Sequence, residues 1–283
     1  MSQAPARLVL SKHEGAGNDF LVFVDVDDQV PLTEELALGL CDRRRGIGAD
    51  GIIRIGPGRD GADVSMQLRN ADGGPAETSG NGLRCLAQAA VIHQLVRPPH
   101  FTVATAAGLR AVDYQPGASA EAATADVEMG VARLAARDLD VDGHRARSVD
   151  MGNPHLVVWC DDPGAIDLEE AGPRLAGRGP EERNVEFVGP GPVAGELSLV
   201  VWERGVGTTL ACGTGTCAAA AAAAAWGAIG RRVRVHNPGG VLQVTLGEGD
   251  QPIRLSGPVR KVADVVVTLP LAHVGAEIVG GGR

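Results

Sequence analysis

The sequence predicts an α+β protein built from two similar halves. Its 283 residues are long for one domain and natural for two of about 100–150 residues. Short β-branched and apolar runs bounded by glycine, proline or polar clusters recur throughout, while helical patterns are few. Two pairs of segments also repeat in the same order. Gly17-Asn18-Asp19-Phe20-Leu21-Val22 is echoed by Gly152-Asn153-Pro154-His155-Leu156-Val157, each followed by an aspartate, Asp25 or Asp161. Further along each half, Ser79-Gly80-Asn81-Gly82 is echoed by Cys212-Gly213-Thr214-Gly215, each opening an alanine-rich stretch. The simplest reading is a duplication whose equivalent segments face each other across a cleft.

In chain order, the first half predicts strands over 21–26, 64–68, 103–105 and 109–112. The second predicts strands over 156–159, 197–202, 233–235, 241–246 and 262–269. Thr33 is placed to cap a helix over 34–43, and strong helix formers without proline predict helices over 83–95 and 216–226. The Pro-, Gly-, Ser- and Ala-rich stretch 115–123 reads as a linker.

Composition narrows the function classes. Hydrophobic residues are 44% and charged residues 22%, which suits buried cores and argues against disorder. Aromatics at 3% leave little for stacking bases, and a net charge of −9 opposes phosphate-backbone binding, so no nucleic-acid partner is expected. Residues 1–10 lack a charged-then-apolar leader pattern, and the apolar run Ala218–Trp226 is about half a bilayer span, so the expectation is a cytoplasmic protein with no membrane partner.

The five cysteines, Cys41, Cys85, Cys160, Cys212 and Cys217, are odd in number, and none has zinc-site spacing. Cys212 stands just before the second helix opening, where the helix N-terminus is expected to lower its pKa and make it the reactive thiol. Cys217 and Cys85, at corresponding places within the helical stretches, read as packing. Glycines at both openings let a ligand approach the backbone, and free first-turn N–H groups bind anions. Two such openings facing each other suit an amino-acid carboxylate, with Ser79 or Asn81 as ordinary helix caps in the alternative.

At these residues the chain resembles the diaminopimelate epimerase family. The resemblance runs nearly end to end, through Lys12–Phe20, Cys41–Gly51, Asn70–Cys85, Met151–His155, Arg183–Phe187, Trp202–Cys217, Pro238-Gly239-Gly240 and Ser256-Gly257-Pro258. It implies two pseudo-symmetric domains, each a barrel-like, mostly antiparallel sheet around a central helix, with the active site between them. The expected limits are residues 1–128 and 129–267, with residues from about 268 to 283 packing back onto the first domain. It also implies two-base proton transfer at an amino-acid Cα with no cofactor, neither pyridoxal phosphate nor metal, and a homodimer. Inversion needs an acid and a base on opposite faces of one carbon, and each must serve in both roles.

In this family both groups are cysteines. The second is present as Cys212, but the first position is Ser79, a far weaker acid. Thr208 also stands where an acidic residue is usual, a change expected to alter hydrogen bonds beside Cys212. The resemblance assigns Asn70, Asn184, Glu203 and Arg204 to the distal, non-reacting end of the substrate, Asn18 and Asn153 to the reacting centre, and the amides of Gly80, Asn81, Gly213 and Thr214 to the α-carboxylate. Three readings follow: an epimerase interconverting LL- and meso-2,6-diaminopimelate with serine as a native variant or an inactivating substitution, a related racemase or epimerase acting on another amino acid, and a diaminopimelate-binding pseudoenzyme.

Overall fold

Two rings of strands share their central pair. The computed structural model describes residues 6–76, 79–119, 121–178 and 182–269. The first half runs β1 (Ala6–Gly15), β2 (Asn18–Val24), α1 (Glu34–Cys41), β3 (Gly51–Pro57), β4 (Val64–Asn70), α2 (Gly80–Ile92), β5 (His100–Thr105), β6 (Gly108–Pro116) and β7 (Ala122–Gly130). Two short strands follow, β8 (Arg133–Leu134) and β9 (Leu139–Val141). The second half runs β10 (His144–Asp150), β11 (Pro154–Trp159), α3 (Leu168–Ala176), β12 (Asn184–Pro190), β13 (Leu197–Glu203), β14 (Gly207–Thr209), α4 (Gly213–Ala225), β15 (Arg232–Asn237), β16 (Gly240–Thr245) and β17 (Ile253–Leu269).

Strands β1 to β7 pair in sequence order, and β17 closes the circle by pairing with both β7 and β1, giving an eight-stranded barrel. The β2–β3 and β4–β5 pairs are parallel and the others antiparallel. The second half repeats the pattern: β11–β12 and β13–β15 are parallel, while β10–β11, β12–β13, β15–β16 and β16–β17 are antiparallel. Its circle is completed by β17 against β7 and by β8, just beyond β7, against β10. Each barrel thus borrows the strand that ends its neighbour. β17 can serve both because its early residues face Gly130–Ala122 and its later ones Glu14–Ala6.

One helix fills each barrel. Every residue of α2 from Gly80 to Ala90 is buried, as is every residue of α4 from Gly213 to Ala223. A helix ringed by strands has no solvent-facing side, and the alanine run of α4 fills that space with the best helix-forming residue. Cys41, Cys85, Cys160 and Cys217 are all buried, as packing residues would be. Burial pushes the thiols of Cys41 and Cys85 up to about 12.

Thr33 caps α1 as expected, its Oγ1 accepting from the Leu36 N–H at 3.2 Å. The stretch 115–123 is not a linker. Gln115 pairs with Thr124 and Pro116 with Ala123, so it forms the tight end of the β6–β7 hairpin. Pro, Gly and Ser serve a hairpin turn and a linker equally well, and composition does not separate them. Residues 270–283, including most of the segment expected to pack back onto the first half, lie outside the described residues. No helix among the described residues is long and apolar enough to cross a membrane.

Candidate active site

The openings of α2 and α4 meet head to head. A Cβ built on Gly213 would lie 3.1 Å from both the Cα and the nitrogen of Gly80, so glycine is what permits the approach. Ser79 and Cys212 are the N-caps. Ser79 Oγ accepts from the Gly82 N–H at 2.9 Å, and Cys212 Sγ accepts from the Gly215 N–H at 3.4 Å. The N–H groups of Gly80, Asn81, Gly213 and Thr214 precede the first intrahelical bonds, and both helix dipoles turn their positive ends toward the junction.

Ser79 and Cys212 line one cavity of about 190 Å³. Asn18, Asn70, Asn81, Asn153, Asn184, Glu203, Arg204, Gly213 and Thr214 line it too; of the sequence-derived residues only Gly80 does not, lying instead at the helix junction.

The structure revises two sequence expectations, those for Cys212 and Thr208, and gives Glu203 a neighbour. The helix opening does not lower the Cys212 pKa. Burial drives it well above the ordinary thiol value, Glu203 and Glu186 push it further, and the bonds from Thr214 and Gly215 offset only part of this. Desolvation of the thiolate outweighs the partial charge of the helix end. Glu203 lies close to Cys212 in the shared cavity. It accepts a bond from the Thr209 hydroxyl, and its own pKa is raised, chiefly by burial, with Thr209 and Cys212 acting in the opposite direction. Thr208 does not touch the Cys212 surroundings. It is exposed and donates to Glu169 Oε1 at 2.8 Å, because neighbours on β14 face opposite ways and Thr209 takes the inward side.

Each half backs its loop asparagine differently. Asn18 donates to Asp50 Oδ2 at 2.7 Å and accepts from Asn81 Nδ2 at 3.1 Å. Asp50 is in turn held by Arg43, 2.7 Å away. In the second half Asn153 Nδ2 donates to Thr214 Oγ1 at 3.4 Å, and Thr214 Oγ1 lies 3.4 Å from Cys212 Sγ. Both ring nitrogens of His155 face oxygens, Asn153 Oδ1 at 3.0 Å and Glu186 Oε1 at 2.7 Å. Asn184 spans two loops, accepting from the Arg204 N–H at 2.9 Å and donating to the Pro154 carbonyl at 3.3 Å.

Sequence reasoning missed Asp50, His155, Glu186 and Thr209. His155 carried a signal, since it lies in the repeated segment that contains Asn153. Glu186 carried none. It lies inside an apolar strand, and only the fold brings it under α4, where a Cβ on Gly215 would fall 2.5 Å from its Oε1.

The arrangement presents a thiol and a hydroxyl to one small cavity, between two anion-binding helix ends, with carboxylates and one guanidinium around it. Comparison with known proteins gives the family. A diaminopimelate epimerase family model matches residues 10–135 and 147–262. A diaminopimelate epimerase of Synechococcus sp. (strain JA-3-3Ab) is 38% identical over 90% of this chain and 96% of its own. Diaminopimelate epimerase 1 of Nostoc sp. (strain PCC 7120 / SAG 25.82 / UTEX 2576) is 37% identical over 89% of this chain and 96% of its own. The fold matches a probable proline racemase from Agrobacterium radiobacter K84 with a TM-score of 0.74, at 18% identity over 94% of each chain. Similarity of this extent, reaching across both halves and both helix openings, makes the chain a member of the diaminopimelate epimerase family.

Proposed function

We propose that the protein binds 2,6-diaminopimelate with one α-centre between Ser79 and Cys212 and exchanges its Cα proton through Cys212, with slower inversion between the LL and meso forms through Ser79. The observation that carries this reading is the sharing of one cavity by the two N-cap side chains of abutting helices. The α-carboxylate fits the first-turn amides of α2 and α4, the nearby ammonium fits Glu203, and Arg204 offers a forked partner for the distal carboxylate.

The protons balance as follows. Cys212 loses its proton to water, and the thiolate then takes the Cα proton from one face. The resulting carbanion is reprotonated either by the same thiol after its proton has swapped with solvent, which gives exchange with retention, or by the Ser79 hydroxyl on the opposite face, which gives inversion. The Ser79 alkoxide recovers a proton from water. Each pKa unit between the hydroxyl and a thiol corresponds to about 1.4 kcal/mol, so inversion is the slower branch. The homodimer implied by the family resemblance belongs to this proposal and is checked by light scattering.

The test is incubation of LL- and meso-diaminopimelate in deuterated water. Deuterium entering Cα faster than the configuration inverts is the expected result. Ser79→Cys is expected to raise inversion by about 100-fold or more while exchange changes little. Calorimetric binding without exchange would reduce the protein to a binder. Neither binding nor exchange would overturn the reading.

A further inference from the structure

Arg84 is a cation sealed inside α2. Its side chain has no exposed surface. Nη2 donates to Asn81 Oδ1 at 2.8 Å and Nε to the Pro258 carbonyl at 3.4 Å. Nη1 is buried with no acceptor among the described residues. Space for the guanidinium is kept by two glycines: a Cβ on Gly15 would lie 3.1 Å from Nη2, and one on Gly257 3.2 Å from Nε. Burial pushes the Arg84 pKa down to about 10, which leaves it charged near neutrality.

A buried guanidinium without a carboxylate is costly, and an apolar side chain of similar volume would fill the space without that cost. Its surroundings show what it does instead. With Oδ1 held by Arg84, Asn81 must turn Nδ2 outward, where it donates to Asn18 Oδ1 at 3.1 Å and to the Ala211 carbonyl at 3.0 Å. The flipped amide would set its oxygen against both of these acceptors and its NH2 against the cation. Ala211 is the residue before Cys212. Counting from the caps, Asn81 corresponds to Thr214 and Arg84 to Cys217, not to Cys85. The duplication therefore keeps one cation between the two central helices, with a small thiol in the equivalent place.

We infer that Arg84 is a positioning residue. By holding Asn81 in one orientation, it ties the first-half helix opening to Ala211 and so sets the placement of Cys212. The turnover readout for this role rests on the proposed function, while the labelling readout does not.

The experiment compares Arg84→Met and Arg84→Lys with the unmodified protein. Three quantities are read: the thermal midpoint, the iodoacetamide labelling rate of each cysteine by peptide mass spectrometry at several pH values, and Cα deuterium exchange on meso-diaminopimelate. Arg84→Met is expected to keep the midpoint within a few degrees or raise it, since a buried unpaired charge is replaced by an apolar side chain. Cys212 labelling should change by about tenfold or more, while Cys41, Cys160 and Cys217 stay protected. The exchange kcat should fall by about 30-fold or more with KM nearly constant, and Arg84→Lys should restore part of it. Joint labelling of all the cysteines with a lowered midpoint would show a packing role and overturn the inference. Unchanged Cys212 labelling would overturn it as well. If Arg84→Met does not fold, Arg84→Lys carries the test, with a smaller change expected at Cys212 alone. If the unmodified protein neither binds nor exchanges diaminopimelate, the proposed function fails and the Cys212 labelling still decides the role of Arg84.

Discussion

Gly213 packs against Gly80 across the junction of the two barrels, with room for no side chain: its Cβ would sit 3.1 Å from the Gly80 backbone. Gly213→Ala must push one helix opening away from the other. The contact calls for a displacement of a few tenths of an ångström, and since a shift of about 1 Å costs about 100-fold in rate, Cα exchange should fall by roughly three- to fivefold. Gly80→Ala should cost less, because its Cβ would meet the movable ends of Leu255 and Met129. Equal effects of the two substitutions on exchange would contradict this picture.

The Cys212 thiol is held well above the ordinary range by burial, then by Glu203 and Glu186. The reactive thiolate is therefore the minor form at neutral pH and grows about tenfold per pH unit. Exchange at saturating diaminopimelate should climb with pH and show no plateau below about pH 9, where a free thiol would have levelled off. A plateau near neutrality in the pH–rate profile would reject a thiol of this kind.

His155 Nδ1 and Glu186 Oε1 lie within hydrogen-bond distance at 2.7 Å, both side chains fully buried beneath α4. Weakening a buried hydrogen bond of this kind costs about 1–3 kcal/mol, so Glu186→Gln should lower the thermal midpoint by several degrees. The same change removes a negative charge acting on Cys212. Its thiolate absorbance near 240 nm should then appear at lower pH than in the unmodified protein. A midpoint shift without that spectral shift would separate the structural role of Glu186 from its electrostatic one.

His13 is sealed inside the first barrel, where burial lowers its pKa to about 4 and the bond to Gln88 offsets only part of the effect. Between about pH 6.5 and 4 the unfolded chain binds this proton and the folded chain does not, so stability rises with pH in that window. The contribution is whole above about pH 6.5 and is lost as pH falls, with a slope of up to about 1.4 kcal/mol per unit. Urea unfolding across this range should show a flatter dependence for His13→Gln than for the unmodified protein.

Much of this was legible before any coordinates. The repeated Gly-Asn segments and the paired glycine openings announced two equivalent halves, and Ser79 and Cys212 stood out as the residues at those openings. Helix α3 was not legible. Asp167 caps it and Glu169 and Glu170 line its first turn, but Gly172 and Pro173 obscure the pattern. Strands β3 and β12 were missed as well. Both are buried at every position but the last and lack the alternation that marks a half-exposed strand. The pairing of β17 with both β7 and β1 had no local signal, because residues 6 and 269 meet only after the whole chain has closed.

The sequence alone determined the repeat, the two helix openings and the chemical identity of the groups placed there, since glycine spacing and residue type are local properties. The tertiary structure decided how those groups behave. It buried Cys212 among carboxylates and so reversed the shift expected of a helix N-terminus. It also set Glu203 beside Cys212, turned Thr208 outward, and lodged Arg84 behind Asn81. Desolvation and charge depend on what the fold brings within a few ångströms, and residues far apart in the chain supply most of it.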